Sequence, residues 1–395
     1  MICATKQADH KQKCRQILCF GDSDWWYHNR GHMDMQLMKQ CADFAEVLYI
    51  NSIVARKFNI TEGAMFLHRL KRKLRSIKRG LQPSGLRNMN VYSPFSMPVH
   101  HIPIARQLNA LALKRQINNC MQKLGMNKPL VWVTCPAAAQ IAVKLDYSKL
   151  LYQRSDLYEQ FPGVDSQQII KYDRLLKANA DLVIYVNRSL FNNEKSHCRK
   201  AVFIDHGVDY QRFADAEKVN YIPDDMKQIA HPVLGFYGGI DEHTVDISLI
   251  SKIAELLENV SIVLIGSTSA DLSPLRDHPN IHLLDQKPYE QIPHYAKCFD
   301  VCFMPWQQNQ WIQSCNPIKL KEYLALGKPI VSTPFSELEN YLDVVTVAAN
   351  AGTFANQVTK VLLEDNPQKI SARRDKVKNC TWRAKTEMIL EVLYE

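Results

Sequence analysis

No apolar run in this chain is long enough to cross a bilayer. Its longest apolar region, Leu130–Val143, is interrupted by Pro136, whereas a spanning helix needs about 20 apolar residues. The opening MICATKQADHKQKCR is too polar for a secretory signal. There is no CxxC pair: the 11 cysteines are scattered, and no histidine follows Cys298 and Cys302 at finger-like spacing. That pattern speaks against a metal site and for reduced thiols in a cytoplasmic protein. Nor does a G-x-G-x-x-G follow the first predicted strand, which sets a nicotinamide-dependent reductase aside. Internal repeats and low-complexity tracts are missing as well.

What remains is an ordinary globular composition, 46% hydrophobic and 23% charged. With 395 residues the chain is long enough for two domains with substantial cores. The net charge of +9 is moderate, so its distribution matters more than its total. Met65–Arg79 concentrates it: seven of its fifteen residues are Lys or Arg and none is acidic. Phe66, Leu70, Leu74 and Ile77 recur there at helical spacing. Three readings stand: a helix lying on an anionic membrane surface through Arg69, Lys71, Arg72, Lys73, Arg75, Lys78 and Arg79, a solvated basic face, or a nucleic-acid contact. No recognition motif accompanies the last, so nucleic acid is not expected as a partner.

Strands and helices alternate along the chain. Gln16–Phe20, a helix from Met33 and a strand at Glu46–Ile50 open a doubly wound sheet, in which ligands gather at the carboxyl ends of strands. The loop Asp22–His32 therefore lies at a functional edge, and Arg30 and His32 are candidates for its acceptor side. Further strands are expected at Leu130–Thr134, Lys149–Gln153, Asp181–Val186 and Ala201–Ile204. A polar connection at Asp215–Asp225 separates them from a second series opening with Val233–Tyr237 and Gly238-Gly239. Paired glycines after a strand let the backbone come close to a ligand.

Asn316–Thr333, reading NPIKLKEYLALGKPIVST, is the most informative stretch. Pro317 suits a first helical turn, Gly327 is a natural C-cap, and Pro329 stops the helix before the Ile330–Val331 strand. The helix N-terminus offers free amides around Asn316, Ile318 and Leu320, and Lys319 adds a full charge to the same turn. Glu322, one turn on, can accept hydrogen bonds from a pair of hydroxyls. Diphosphate beside ribose fits this arrangement; an amphipathic helix with solvated charges fits it too.

The wording of the stretch resembles the donor-binding segment of GT-B glycosyltransferases, particularly family 4-like (group 1) bacterial enzymes of polysaccharide and teichuronic acid assembly. Pro317, Lys319, Glu322, Tyr323, Ala325, Gly327, Lys328, Pro329 and Val331 match the pattern P-x-K-x-x-E-Y-x-A-x-G-K-P-x-V. Many relatives carry an E-x7-E pair; Glu322 is its second member, and Ser314 stands where the first would be. His206-Gly207-Val208-Asp209 through Phe213 is similar to N-G-V-D-x-x-x-F at the family's domain junction, with His206 replacing asparagine. Tyr152 and Asp156 match the ends of a Y-D-x-x-D motif whose inner aspartate is here Gln153.

The resemblance implies an α/β protein of GT-B architecture, with two Rossmann-like doubly wound domains facing each other across a cleft. Residues 1–215 would take the acceptor, residues 216–381 the nucleotide sugar, and residues 382–395 would form a helix crossing back to the first domain. The implied activity is transfer of a sugar from a nucleotide-sugar donor to an acceptor hydroxyl, lipid-linked or saccharide, at the cytoplasmic face of the cell membrane. Gly238, Gly239, Ser314, Asn316, Pro317, Ile318, Lys319, Leu320 and Glu322 would hold the donor, His206 would lie on the acceptor side, and Lys319 and Asp156 would act in catalysis. Lys319 and the helix amides would balance the diphosphate charge, so no metal or other cofactor is expected. Asp22-Ser23-Asp24 imitates the D-x-D metal motif of GT-A enzymes, a short match that the downstream helix disfavours. A nucleotide-sugar epimerase of the same fold and a noncatalytic sugar-nucleotide or membrane-surface binding protein are the alternatives.

Overall fold

A computed structural model describes residues 14–27, 31–53, 63–96, 103–161 and 163–395, the side chains of 63–70 and 103 excepted. The described chain divides into two units. One comprises the residues up to Asp205 together with Trp382–Glu395; the other runs from His206 to Thr381.

The first unit holds an eight-stranded sheet. Its strands are β1 (Gln16–Phe20), β2 (Glu46–Ile50), β3 (Leu81–Pro83), β4 (Met89–Tyr92), β5 (Leu130–Val133), β6 (Lys149–Arg154), β7 (Leu182–Tyr185) and β8 (Ala201–Phe203), in the order β3-β4-β2-β1-β5-β6-β7-β8. All neighbours are parallel except β3, which pairs antiparallel with β4 at the edge. The central strands, such as LVWV and LVIY, are continuous apolar runs because helices cover both faces of a parallel sheet. The chain order reverses between β1 and β5, so the switch point lies beside Gly21 and Thr134.

The second unit repeats the plan with six parallel strands: β9 (Val233–Tyr237), β10 (Ser261–Ile265), β11 (Ile281–Leu284), β12 (Val301–Met304), β13 (Ile330–Ser332) and β14 (Thr346–Val347). Their order is β11-β10-β9-β12-β13-β14, with the switch between β9 and β12.

The chain joins the second unit at His206, ahead of the polar connection at 215–225 where the sequence suggested a boundary. The reason is packing. Val208 and Phe213 are fully buried in the second core, and the Val208 amide donates to the Cys380 carbonyl at 2.8 Å. The helix Trp382–Tyr394 belongs to the first unit, where it packs on the helix Met33–Cys41 and Lys385 pairs with Asp205.

One helix, Pro367–Val377, is not among the elements expected from the sequence. It clamps the end of the Ile318–Leu326 helix: Arg373 donates to the Gly327 carbonyl at 2.8 Å and Arg374 to the Leu326 carbonyl at 2.9 Å. Cations at a helix C-terminus satisfy its free carbonyls and complement its dipole. Gly327 itself is left-handed at φ +82°, and a Cβ there would meet Ile370 at 2.8 Å. A glycine is required on both counts.

Among the described residues, all ten cysteines are free thiols and no helix is long and apolar enough to cross a membrane.

Candidate functional site

At the switch point of the second sheet, β9 ends at Tyr237 and leads into Gly238-Gly239, while β12 ends at Met304 and leads into Pro305-Trp306. The two loops are stitched together. Asp246 N–H donates to the Pro305 carbonyl and Gln307 N–H to the Thr244 carbonyl, each at 2.9 Å, and Asn309 Nδ2 reaches the His243 carbonyl at 2.7 Å. Asp241 Oδ1 accepts from the amides of His243 and Thr244 at 3.1 and 3.0 Å. The edge is therefore a rigid rim.

The Ile318–Leu326 helix points its first turn at this rim. Pro317 is its N-cap residue and supplies no side-chain cap. The Lys319 ammonium lies 4.4 Å from the centre of the Phe236 ring and 4.5 Å from that of Trp306. Burial lowers its pKa to about 8, against the opposing pull of Glu322 and Asp241. No ion pair to Lys319 forms among the described residues, and the buried Trp306 indole N–H beside it has no acceptor. A half-buried cation without a carboxylate partner is an arrangement that favours an anionic ligand.

Gly238 makes this placement possible. Its φ is +143°, and a Cβ would lie 2.3 Å from Lys319 Nζ. Gly238→Ala is therefore expected both to strain the backbone and to displace the ammonium. Calorimetry with a panel of nucleoside diphosphates should read at least about a tenfold loss of affinity. Unchanged affinity would mean that Lys319 and this glycine do not face the ligand.

Glu322 is buried, 3% exposed, and both its oxygens are occupied: Tyr237 Oη donates to Oε2 at 2.6 Å and Tyr289 Oη to Oε1 at 2.7 Å. Burial raises its pKa, while the tyrosines and Lys319 hold it down. Each carboxylate oxygen keeps one further lone pair for a ligand hydroxyl. Neither tyrosine was singled out in the sequence, because each lies on a different element of the same sheet edge.

The helix is not an amphipathic one with a solvated face. Lys321 is 1% exposed and donates to the His206 carbonyl. Thus His206, read from sequence as an acceptor-side residue, sits in the second unit and supports the helix. Ser314 turns its hydroxyl onto the Trp311 and Gln310 carbonyls at 2.8 and 3.2 Å, closing the short helix Gln310–Gln313. Asn316 and Leu320 are buried beside it, Pro317 and Ile318 are half-buried, and Gly239 is exposed on the rim.

A family model described as "Glycosyl transferases group 1" matches residues 231–364, which include this entire rim and helix. Those residues form a group 1 glycosyl transferase domain. A curated relative, "Putative teichuronic acid biosynthesis glycosyltransferase TuaH" of Bacillus subtilis (strain 168), is 25% identical over 221 residues. That alignment covers 51% of this chain and 55% of the relative, so the chain spans about half the length of the curated protein it matches. Among solved structures, sucrose-phosphate synthase from Thermosynechococcus elongatus superposes with a TM-score of 0.67 at 14% identity, over 96% of this chain and 98% of that one. Anabaena HepE, solved in complex with UDP and glucose, gives 0.63 at 15% identity, over 96% and 99%. At these identities the likeness concerns the fold, which is GT-B: two Rossmann-like units, the second being the glycosyl transferase domain.

The unit that precedes the glycosyl transferase domain carries the remaining sequence candidates. Asp156 is half-buried just past β6, and its carbonyl accepts from the Tyr158 amide at 3.0 Å. Its neighbour Arg154 turns inward, 1% exposed, to Glu159 at 2.9 Å, Asp173 at 3.3 Å and Glu194 at 3.4 Å. Gln153 is buried and accepts the Trp132 indole N–H at 3.0 Å. His32 is the half-buried N-cap residue of the Met33–Cys41 helix; Arg30 lies outside the described residues.

Asp22-Ser23-Asp24 is built into the loop. Asp24 accepts from the Trp26 amide at 3.0 Å and from the Ser76 hydroxyl at 2.7 Å. Trp25 is fully buried and packs on Tyr49 at 5.5 Å. Among the described residues, no group of three or more His, Cys, Asp or Glu side chains is placed to hold a metal.

The basic stretch is helical, as part of Gly63–Arg79, but not all of its charges are free. Lys73 donates to the Ser52 carbonyl at 2.9 Å, and burial lowers its pKa. Ser76 is buried in a network with Asp24, Asn51 and Ser93. Arg72 lies 5.1 Å over the Tyr27 ring and Arg79 lies 4.8 Å over Trp26. Lys71, Arg75, Lys78 and Arg79 are exposed; the Arg69 side chain lies outside the described residues.

Proposed function

We propose that the protein transfers a glycosyl group from a nucleoside-diphosphate sugar to a hydroxyl of a saccharide or lipid-linked acceptor, in the assembly of a cell-surface polysaccharide or glycoconjugate. The observation that carries this reading is the Lys319 ammonium, held against Gly238 at the switch point of the glycosyl transferase domain without an ion-pair partner among the described residues. The anomeric carbon–oxygen bond breaks toward the diphosphate, and negative charge grows on the leaving phosphate. Lys319 and the first-turn amides of its helix stabilise that charge. Glu322, oriented by Tyr237 and Tyr289, accepts the ribose hydroxyls. The name of the Bacillus subtilis relative and the UDP and glucose bound to HepE support the donor class.

The acceptor oxygen forms the new bond and must lose its proton. Asp156, at the carboxyl edge of the first sheet, is the proposed base; in a retaining reaction the donor phosphate would take the proton instead. The exposed Lys71, Arg75, Lys78 and Arg79 support attachment to the inner face of an anionic membrane, where a lipid-linked acceptor would reside.

The test is to incubate the protein with candidate nucleotide sugars and membrane lipid, and to determine the anomeric configuration of any product. An inverted product, together with a rate loss of at least about a hundredfold in Asp156→Asn, is the expected result for a general base. Retention, or a near-normal rate in the variant, removes Asp156 from catalysis. Donor binding without any consumption would point to a noncatalytic sugar-nucleotide binder.

A further inference from the structure

Residues 63–145 contain 14 Lys or Arg and no Asp or Glu, which leaves 35 basic against 40 acidic residues in the rest of the chain. All the excess positive charge therefore belongs to one segment of the first unit. Within it, the helix Pro103–Lys123 has two apolar faces. Leu113, Ile117 and Cys120 pack into the core at exposures of 5% or less. On another face, Ile104, Leu108 and Leu111 are 75%, 60% and 60% exposed. Spacings of four and three residues align these three into one stripe, and the exposed Arg115 continues it. An ordinary surface helix would be polar there.

The stripe has company. Phe95, 53% exposed, is fixed to the same helix: its amide donates to Gln116 Oε1 and its carbonyl accepts from Gln116 Nε2, both at 3.0 Å. Two residues earlier, Ser93 Oγ lies 2.6 Å from Ser76 Oγ on the basic helix Gly63–Arg79. One short segment thus joins both helices. Leu74 on the basic helix is 55% exposed, flanked by the exposed Lys71, Arg75 and Lys78.

We propose that this surface docks on an anionic phospholipid bilayer, with Ile104, Leu108, Leu111 and Phe95 entering the acyl boundary and the surrounding lysines and arginines engaging headgroups. A nucleic acid would complement the charge but not the exposed leucines, whereas an acidic membrane interface complements both. Membrane attachment is the reading already proposed. The stripe supplies what the basic helix lacks, an anchor that salt does not screen.

The experiment is sedimentation of the full chain with phosphatidylglycerol–phosphatidylcholine vesicles, at low and high salt, beside pure phosphatidylcholine vesicles and a DNA duplex. The wild type should bind the acidic vesicles and retain part of that binding in high salt. The triple variant Ile104→Ser, Leu108→Ser, Leu111→Ser should bind about tenfold more weakly or worse, and lose all of it in high salt. Thermal stability and nucleoside-diphosphate binding should match the wild type, because the replaced side chains are exposed and lie in the other unit. Lys71→Glu, Arg75→Glu, Lys78→Glu should remove the salt-sensitive share of the binding and leave the share that persists in high salt. Serine variants that sediment like the wild type would overturn the stripe while leaving the basic helix as a membrane contact. A wild type that ignores vesicles, or prefers the duplex, would overturn membrane docking altogether.

Discussion

Lys319→Met is expected to reduce kcat/KM for glycosyl transfer by about 10²–10³, the effect typical of removing a preorganised group that stabilises charge in the transition state. The same change should leave Tm at pH 7 unchanged or higher, because methionine keeps the volume and removes a charge whose burial is unfavourable. Folding lowers the pKa of Lys319 from near 10.5 to about 8. Below pH 8 the group is charged in both states, and the folded state bears the full desolvation cost. Between pH 8 and 10.5 the unfolded chain holds a proton that the folded chain has released, so wild-type stability rises with pH across that window. Any Tm advantage of the methionine variant should therefore be largest at neutral pH and vanish above the window. Activity should follow the charge: kcat/KM of the wild type falls as pH rises through about 8. Lys319→Arg, which does not titrate there, should lack that alkaline limb. Activity should also survive a chelator. Complete loss with chelator, restored by a divalent metal, or a wild-type rate in Lys319→Met, would remove Lys319 from its role.

For Glu322 the outcome depends on which residue replaces it. Sequence reasoning alone expects Glu322→Ala to weaken donor binding and spare the fold. The structure corrects the second half of that expectation. Alanine would strand the buried hydroxyls of Tyr237 and Tyr289, each at a cost of about 1–3 kcal/mol. Glu322→Ala should therefore melt several degrees lower as well as lose donor affinity. Glu322→Gln retains a carbonyl for one tyrosine and an amide that can donate to the other, so it should stay close to wild-type stability. Its affinity for nucleoside diphosphates should still fall about tenfold, since hydrogen bonds to charged groups are the stronger ones. Calorimetry and thermal melts on both variants decide the matter. Wild-type Tm in the alanine variant would dismiss the tyrosine clamp, and wild-type affinity in the glutamine variant would dismiss the ribose contact.

The two sheets were legible in the sequence because their central strands are bare apolar runs, as β5, β7, β9, β10 and β12 illustrate. The Ile318–Leu326 helix was legible from its own punctuation, Pro317 at its start and Gly327 at its end. What escaped were contacts between residues far apart in the chain. Tyr237 and Tyr289 lie 85 and 33 residues from the carboxylate they hold. Arg373 and Arg374 come from a helix more than forty residues beyond the carbonyls they cap. In the basic helix, Lys73 and Ser76 look as solvated as their neighbours until Ser52, Asn51 and Ser93 are placed against them.

By itself the sequence determined the alternation of strands and helices, the glycines after Tyr237 and Leu326, and the span of the Ile318–Leu326 helix, since each follows from local periodicity or backbone sterics. Only the tertiary structure decided the fate of each charge. Lys319, Lys321 and Glu322 are near neighbours on one helix, yet one rests on two aromatic rings, one supports a distant carbonyl and one is clamped by two tyrosines. Helical spacing fixes the direction of a side chain, but what lies in that direction is set by the rest of the fold, and burial and partners together settle whether a charge is solvated, structural or free to meet a ligand.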